Sequence, residues 1–127
     1  DLARHVAEVA RLRYPKLGVP ETTLPVFQKM TKAAIHASHQ VCELLRTHDL
    51  ELAARIIAED DAIDLLHEQT FQAMLGADWT HDVQAAVDVT LVGRYLERFG
   101  DHAVSVARRV TYLVEGDTAG LVDNERL

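Results

Sequence analysis

Between Thr23 and Gly116 the helical rhythm of this chain breaks only twice, at Asp49 and across Gly76-Ala77-Asp78-Trp79-Thr80. Three long amphipathic segments joined by connections this short must lie antiparallel to one another, because a few residues cannot carry the chain back along a long rod. The first runs from Thr23 to about His48. Thr23 is placed to cap it, and Pro25 falls in the first turn, where its missing N–H costs nothing. The second runs from about Leu50 to Leu75, with Asp49 as the capping residue and Gly76 as the stop. The third runs from about His81 to Glu115 and ends at Gly116. Gly93 and Gly100 lie inside it, each costing about 1 kcal/mol relative to alanine, which points to close approach of a neighbouring helix.

Ahead of this unit, Leu2, Val6, Val9 and Leu12 recur at helical spacing, and Tyr14-Pro15 closes that segment. The opening residues are already in helical phase, which suggests a helix whose beginning lies upstream. The expected organisation is a helix end over residues 1–13, a linker over 14–22, a three-helix bundle over 23–116 and a flexible tail over 117–127. The fold class is all-α. Aromatic residues at 6% are too few for a sheet core, and 48% hydrophobic with 26% charged residues describes a soluble globular chain. A net charge of −7 argues against nucleic-acid binding, which needs a basic face. No apolar run approaches the ~20 residues needed to span a bilayer. The single cysteine, Cys42, fits a reducing compartment and reads as a small buried hydrophobe on an apolar helix. Trp79 is either a plug on the end of the bundle or an exposed contact. His36, His39 and His48 read as ordinary surface or core residues, and His102 points about 100° away from Asp101.

Carboxylates interrupt this pattern in two places. On the last helix Val83, Val87, Thr90, Arg94, Glu97, Asp101 and Val104 fall on one stripe, so Glu97 and Asp101 stand one turn apart on the face expected to pack. On the helix before it, Ala53, Ile57, Asp60, Asp64, His67 and Phe71 alternate four- and three-residue steps, which puts a second acidic pair on a second apolar stripe. Folding the hairpin at Trp79 brings the two pairs to similar height, offset by about one helical turn at ~1.5 Å per residue. Four facing anions raise each other's pKa, and burial adds to the effect. Retained protons, a basic partner such as Arg94, or a metal would each resolve the conflict. Oxygen donors suit hard cations such as magnesium, manganese or iron, and a nitrogen from His67 would tilt the choice toward iron or zinc.

The run Gly93-Arg94-Tyr95-Leu96-Glu97-Arg98-Phe99-Gly100-Asp101-His102-Ala103, continued by Val106-Ala107 and Tyr112-Leu113-Val114, resembles the signature helix of PhoU proteins. Asp60-Asp61-Ala62-Ile63-Asp64 resembles the acidic motif on the preceding helix of the same repeat. The family's pattern is an acid, three residues and an aspartate on each of two helices, a pattern that Asp60, Asp64, Glu97 and Asp101 match one for one. Asp1-Leu2-Ala3-Arg4-His5-Val6-Ala7 matches Asp101-His102-Ala103-Val104-Ser105-Val106-Ala107 at four of seven positions, as the end of a preceding repeat would. Asp1 would then be the last acid of that repeat's motif.

The resemblance implies an antiparallel three-helix PhoU-like repeat and a non-enzymatic, cytoplasmic regulator of phosphate uptake and phosphate-starvation signalling. Such a protein is an adaptor between the cytoplasmic side of a phosphate ABC transporter and a sensor histidine kinase. It is associated with the membrane only through those partners, and often homodimeric. It also implies metal ions (iron, zinc, manganese or magnesium) at Asp60, Asp64, Glu97 and Asp101, with Asp1, Arg94 and His67 as possible additional contributors. Two rival readings remain at this stage. One is a carboxylate-bridged di-iron oxidase, which wants two Glu-x-x-His motifs, whereas this chain offers only Asp64-Leu65-Leu66-His67. The other is a metal-free structural bundle whose acids pair with Arg94, Arg98 or Arg108. No phosphate-binding glycine loop or nucleophile–base motif is present, so no catalytic residue is assigned.

Overall fold

The computed structural model describes residues 1–116, and the expected tail over 117–127 lies outside the described residues. Four helices account for the architecture: α1 (Leu2–Arg13), α2 (Leu24–Thr47), α3 (Leu50–Leu75) and α4 (Val83–Glu115), with a short 3₁₀ turn, Glu21–Thr23, leading into α2. There is no strand among the described residues. α2, α3 and α4 form the antiparallel three-helix bundle. α1 packs against α4 and runs antiparallel to it, since Arg13 reaches Asp88 while His5 stacks on Tyr95 with ring centroids 5.1 Å apart.

The helix ends follow local chemistry. Asp49 accepts the Glu51 N–H at 3.0 Å and Asp82 accepts the Ala85 N–H at 2.8 Å, so each carboxylate satisfies a donor that the first helical turn leaves open. α4 therefore starts two residues later than expected, at Val83. His81 instead sits 2.8 Å from the Thr22 hydroxyl, tying the α3–α4 connection to the linker before α2. Thr23 stands at the cap position of α2, yet its hydroxyl donates to the Pro20 carbonyl at 2.8 Å instead of accepting from the helix. His48 takes a left-handed φ of 55° at the end of α2.

The apolar interior is divided into two blocks. The upper one joins Val9 of α1 to Phe27, Met30 and Ala34 of α2, Ile63 of α3, and Val89, Val92 and Leu96 of α4, and Trp79 packs on its end as a plug. The lower one holds Leu44, Leu52, Ala53, Ile56, Ala103, Ala107 and Val110. Met30 and Leu44 are fully enclosed, a burial that contributes about 1.5–3 kcal/mol each. Between the blocks lies a cavity of ≈ 260 Å³, bordered by Asp60 and lined both by small residues such as Ala33, Ala37 and Gly100 and by Ile56 and Ile63 from the two blocks.

The structure corrects two readings of the sequence and adds a residue that it did not single out. The packing face of α4 is Val89-Val92-Leu96-Ala103-Ala107-Val110, whereas Val83 is 80% and Val87 45% exposed. At ~100° per residue the expected stripe lies roughly 140° around the helix from the true core face, and of its members Val104 alone is buried. α4 carries apolar residues on both faces, and periodicity alone could not say which one is buried. Cys42 is exposed. Asp88, which the sequence pattern did not single out, is buried at 6% exposure and anchors α1: Arg13 Nε donates to Oδ2 at 2.6 Å and its Nη2 to Oδ1 at 3.1 Å, while Gln84 adds a third donor at 3.1 Å. A carboxylate accepting a two-pronged guanidinium is a strong, directional pairing. Its trace in the sequence is that Asp88 shares the four-residue step to Val92 and Leu96 on the buried face.

Candidate metal centre

α3 and α4 lie side by side along most of their length, and the two acidic pairs meet at the margin of that contact. Asp60 stands level with Gly100 and Asp101, without the expected one-turn offset, because the midpoint of the hairpin falls beyond Trp79. One ligand oxygen from each of Asp60, Asp64 and Asp101 lies within 4.8 Å of the others. Asp60 is half-buried; Asp64 and Asp101 are exposed at the lip of a groove of ≈ 610 Å³ that Arg94, Arg98 and Arg108 also border. Glu97 adjoins this group, and its carboxyl is in hydrogen-bond contact with Asp101. Oε2 lies 2.8 Å from His67 Nδ1 and Oε1 accepts from Arg94 at 2.8 Å. His67 therefore contacts Glu97 and not the three aspartates. Asp1 stands apart at the start of α1, exposed and 3.8 Å from Arg4.

The glycines explain how the helices come close enough. A Cβ on Gly100 would fall on Asp60 Oδ1 and 3.2 Å from Ile63 Cδ1, and one on Gly93 would lie 3.0 Å from His67 Cδ2. The signature run therefore supplies two carboxylates and also the gap into which Asp60 fits.

Crowding is visible in the proton affinities. Asp60 is pushed up to about 7, first by burial and then by the charges of Asp64, Asp101, Asp61 and Glu97. Asp64 is raised by burial and by Glu97 and Asp61, with His67 opposing. Asp101 is raised by burial, by the charges of Glu97 and Asp64 and by a hydrogen bond with Glu97, against the pull of Arg94. Among the described residues no ion pair forms with Asp60, Asp64 or Asp101. Asp60 Oδ1 is buried with no hydrogen-bond partner. A buried carboxylate oxygen without a donor, beside two further carboxylates and no paired base, fits a hard divalent cation, which takes oxygen ligands and offsets the repulsion.

Gly100→Ala separates packing from chemistry. Alanine is the better helix former by about 1 kcal/mol, and Asp60 is a side-chain end that can rotate away. The variant is expected to keep its unfolding midpoint within a few degrees while its affinity for Mn²⁺ falls by roughly tenfold or more, read by calorimetric titration. Equal affinity would show that Asp60 takes no part.

Fold and site together define a helical bundle in which two adjoining helices turn carboxylates toward one another. The chain belongs to the PhoU family: the PhoU domain profile matches residues 27–110. It is similar to the phosphate-specific transport system accessory protein PhoU homolog 2 of Mycobacterium tuberculosis (strain ATCC 25618 / H37Rv), with 46% identity over 115 residues, 91% of this chain and 54% of the relative. It is also similar to PhoU homolog 1 of Mycobacterium leprae (strain TN), with 44% identity over 91% of this chain and 52% of the relative. A PhoU homolog of Synechocystis sp. (strain ATCC 27184 / PCC 6803 / Kazusa) is 28% identical over 122 residues. The chain spans about half the length of the curated relatives it matches. No solved structure matches significantly.

Proposed function

We propose that this chain acts in the control of phosphate uptake and phosphate-starvation signalling, as a cytoplasmic adaptor that binds and does not catalyse. Its partners on this reading are the cytoplasmic side of a phosphate ABC transporter and a sensor histidine kinase, and it associates as a homodimer. The names of its relatives support the link to phosphate transport. Among the described residues no helix is long and apolar enough to cross a membrane, which fits attachment through partners. The observation that carries the metal-binding part is the convergence of Asp60, Asp64 and Asp101 within 4.8 Å, with Asp60 Oδ1 buried and unpartnered. These three aspartates would hold the cation (iron, zinc, manganese or magnesium), which would supply the positive charge the cluster lacks.

Elemental analysis of the purified chain and of Asp101→Ala tests this reading. The parent is expected to carry a divalent metal that the variant has lost, and the immobilised parent to retain the transporter's cytoplasmic ATPase subunit more strongly than the variant. Equal metal content in both proteins would overturn the site, and equal retention would overturn its role in docking.

A further inference from the structure

The two stripes that carry the acids run on toward the α3–α4 connection, and there they turn apolar. At ~100° per residue, Phe71 and Leu75 continue the Asp60–Asp64 stripe of α3, and Val83 and Val87 continue the Arg94–Asp101 stripe of α4. The helices keep one register over this length. Asp60 meets Gly100, the His67 ring meets Gly93, and the Thr90 hydroxyl donates to Met74 Sδ at 3.7 Å. The same register sets Phe71 across from Thr90 and Leu75 across from Val87. Leu75 is 87% exposed, Val83 80%, Val87 45% and Phe71 40%, so no described element covers them. Large apolar side chains gathered on two neighbouring helices and left facing water mark a surface that another molecule covers.

The charges around the patch decide what fits it. Glu68 edges it on α3, Asp64 and Asp61 follow one and two turns on, and Asp78 closes it at the connection; all four are exposed. The nearest arginine, Arg94, is tied to Glu97 at 2.8 Å. A second copy of this chain is a poor match, because a two-fold contact centred on the patch turns Glu68 of each copy toward Asp78 of the other, acid against acid. A helix with apolar side chains one turn apart and Lys or Arg on its flanks matches both features. Its ridge enters the furrow between α3 and α4, and its cations reach the acids of α3. We infer that Phe71, Leu75, Val83 and Val87 form a docking surface for a basic amphipathic helix of a partner protein. The inference rests on the adaptor reading above and deepens it, giving the transporter-side partner a place to bind about 10 Å along α3 from Asp64, at ~1.5 Å per residue.

The experiment measures binding of the transporter's cytoplasmic ATPase subunit to the immobilised chain by interferometry, at low and at high salt. The parent is compared with Leu75→Glu/Val83→Glu, with Glu68→Lys and with Leu113→Glu, a control near the far end of α4 where the side chain is 74% exposed. All four positions face water, so the helical fold is expected to survive, as circular dichroism checks. The double variant is expected to weaken binding by about tenfold or more, and Leu113→Glu to keep the parent's affinity. Glu68→Lys is expected to weaken binding several-fold at low salt and by less at high salt, as loss of an exposed charge contact does.

A double variant that binds with the parent's affinity, or a Leu113→Glu that loses binding equally, would overturn the surface and leave the adaptor reading in place. So would a dimeric parent and a monomeric double variant by light scattering, which would give the patch to a second copy. Glu68→Lys binding as tightly as the parent at low salt would overturn the basic character of the occupant. A parent that retains no ATPase subunit would overturn the adaptor reading and this inference together.

Discussion

Manganese added to chelator-treated protein at pH 8 is expected to raise its unfolding free energy by about 2.7 kcal/mol once the free ion exceeds its dissociation constant a hundredfold. For a bundle of this size that corresponds to a rise in melting temperature of roughly 8 to 16 °C. The gain arises because the three aspartates converge only in the folded chain; unfolding scatters them and releases the ion. In Asp60→Asn the rise is expected to be largely absent, since the oxygen wedged against Gly100 is the most enclosed of the set. Calorimetric scans with and without chelator check both halves. An equal rise in parent and variant would mean that the ion stabilises the protein from some other place.

The second large effect has the opposite sign and appears in the absence of cation. The folded state holds the Asp60 proton up to about pH 7, against an ordinary carboxyl value of 3.8 in the unfolded chain. The folded form therefore binds more protons between these limits. The stabilising contribution is complete below about pH 4 and is lost as pH rises through 7. Taken at face value the shift is worth about 4 kcal/mol. The carboxyl is partly open to water, which screens the repulsion and brings the expected loss down to about 1–2 kcal/mol. Asp64 and Asp101 are raised in the same direction and steepen the trend. In chelator, Asp60→Asn is accordingly expected to be more stable than the parent at pH 8 by about 1–2 kcal/mol, with the gap closing toward pH 4. Urea unfolding at the two pH values measures it. Together the two results cross over: the same substitution stabilises the stripped protein and removes the response to the ion.

Much of this molecule could be read before its coordinates. Asp49, Gly76 and Gly116 marked helix ends because capping chemistry is local, and Leu2 to Leu12 announced α1 by spacing alone. The meeting of Asp60 and Asp64 with Asp101 followed from hairpin length, and the glycines inside α4 pointed to the close approach that Asp60 and His67 exploit. What could not be read depended on rotation and on long-range partners. Val83 and Val87 satisfied a helical stripe as well as Val89 and Val92 did, so the pattern could not tell which face of α4 was inside. His67 presented itself as a nitrogen donor to a metal. Only the register that sets it against Gly93 reveals that its N–H is spent on Glu97. Arg13 and Asp88 are 75 positions apart, and nothing local couples them.

The split interior gives the acidic residues an unusual mechanical setting. Asp60 borders the cavity between the two apolar blocks, and Asp64 and Asp101 open onto the groove outside it, so a change of proton or ion there need not pry apart either block. Gathering charge at such a joint alters chiefly how firmly α3 is stapled to α4. A partner gripping both rods at that height would meet a joint whose firmness follows its charge.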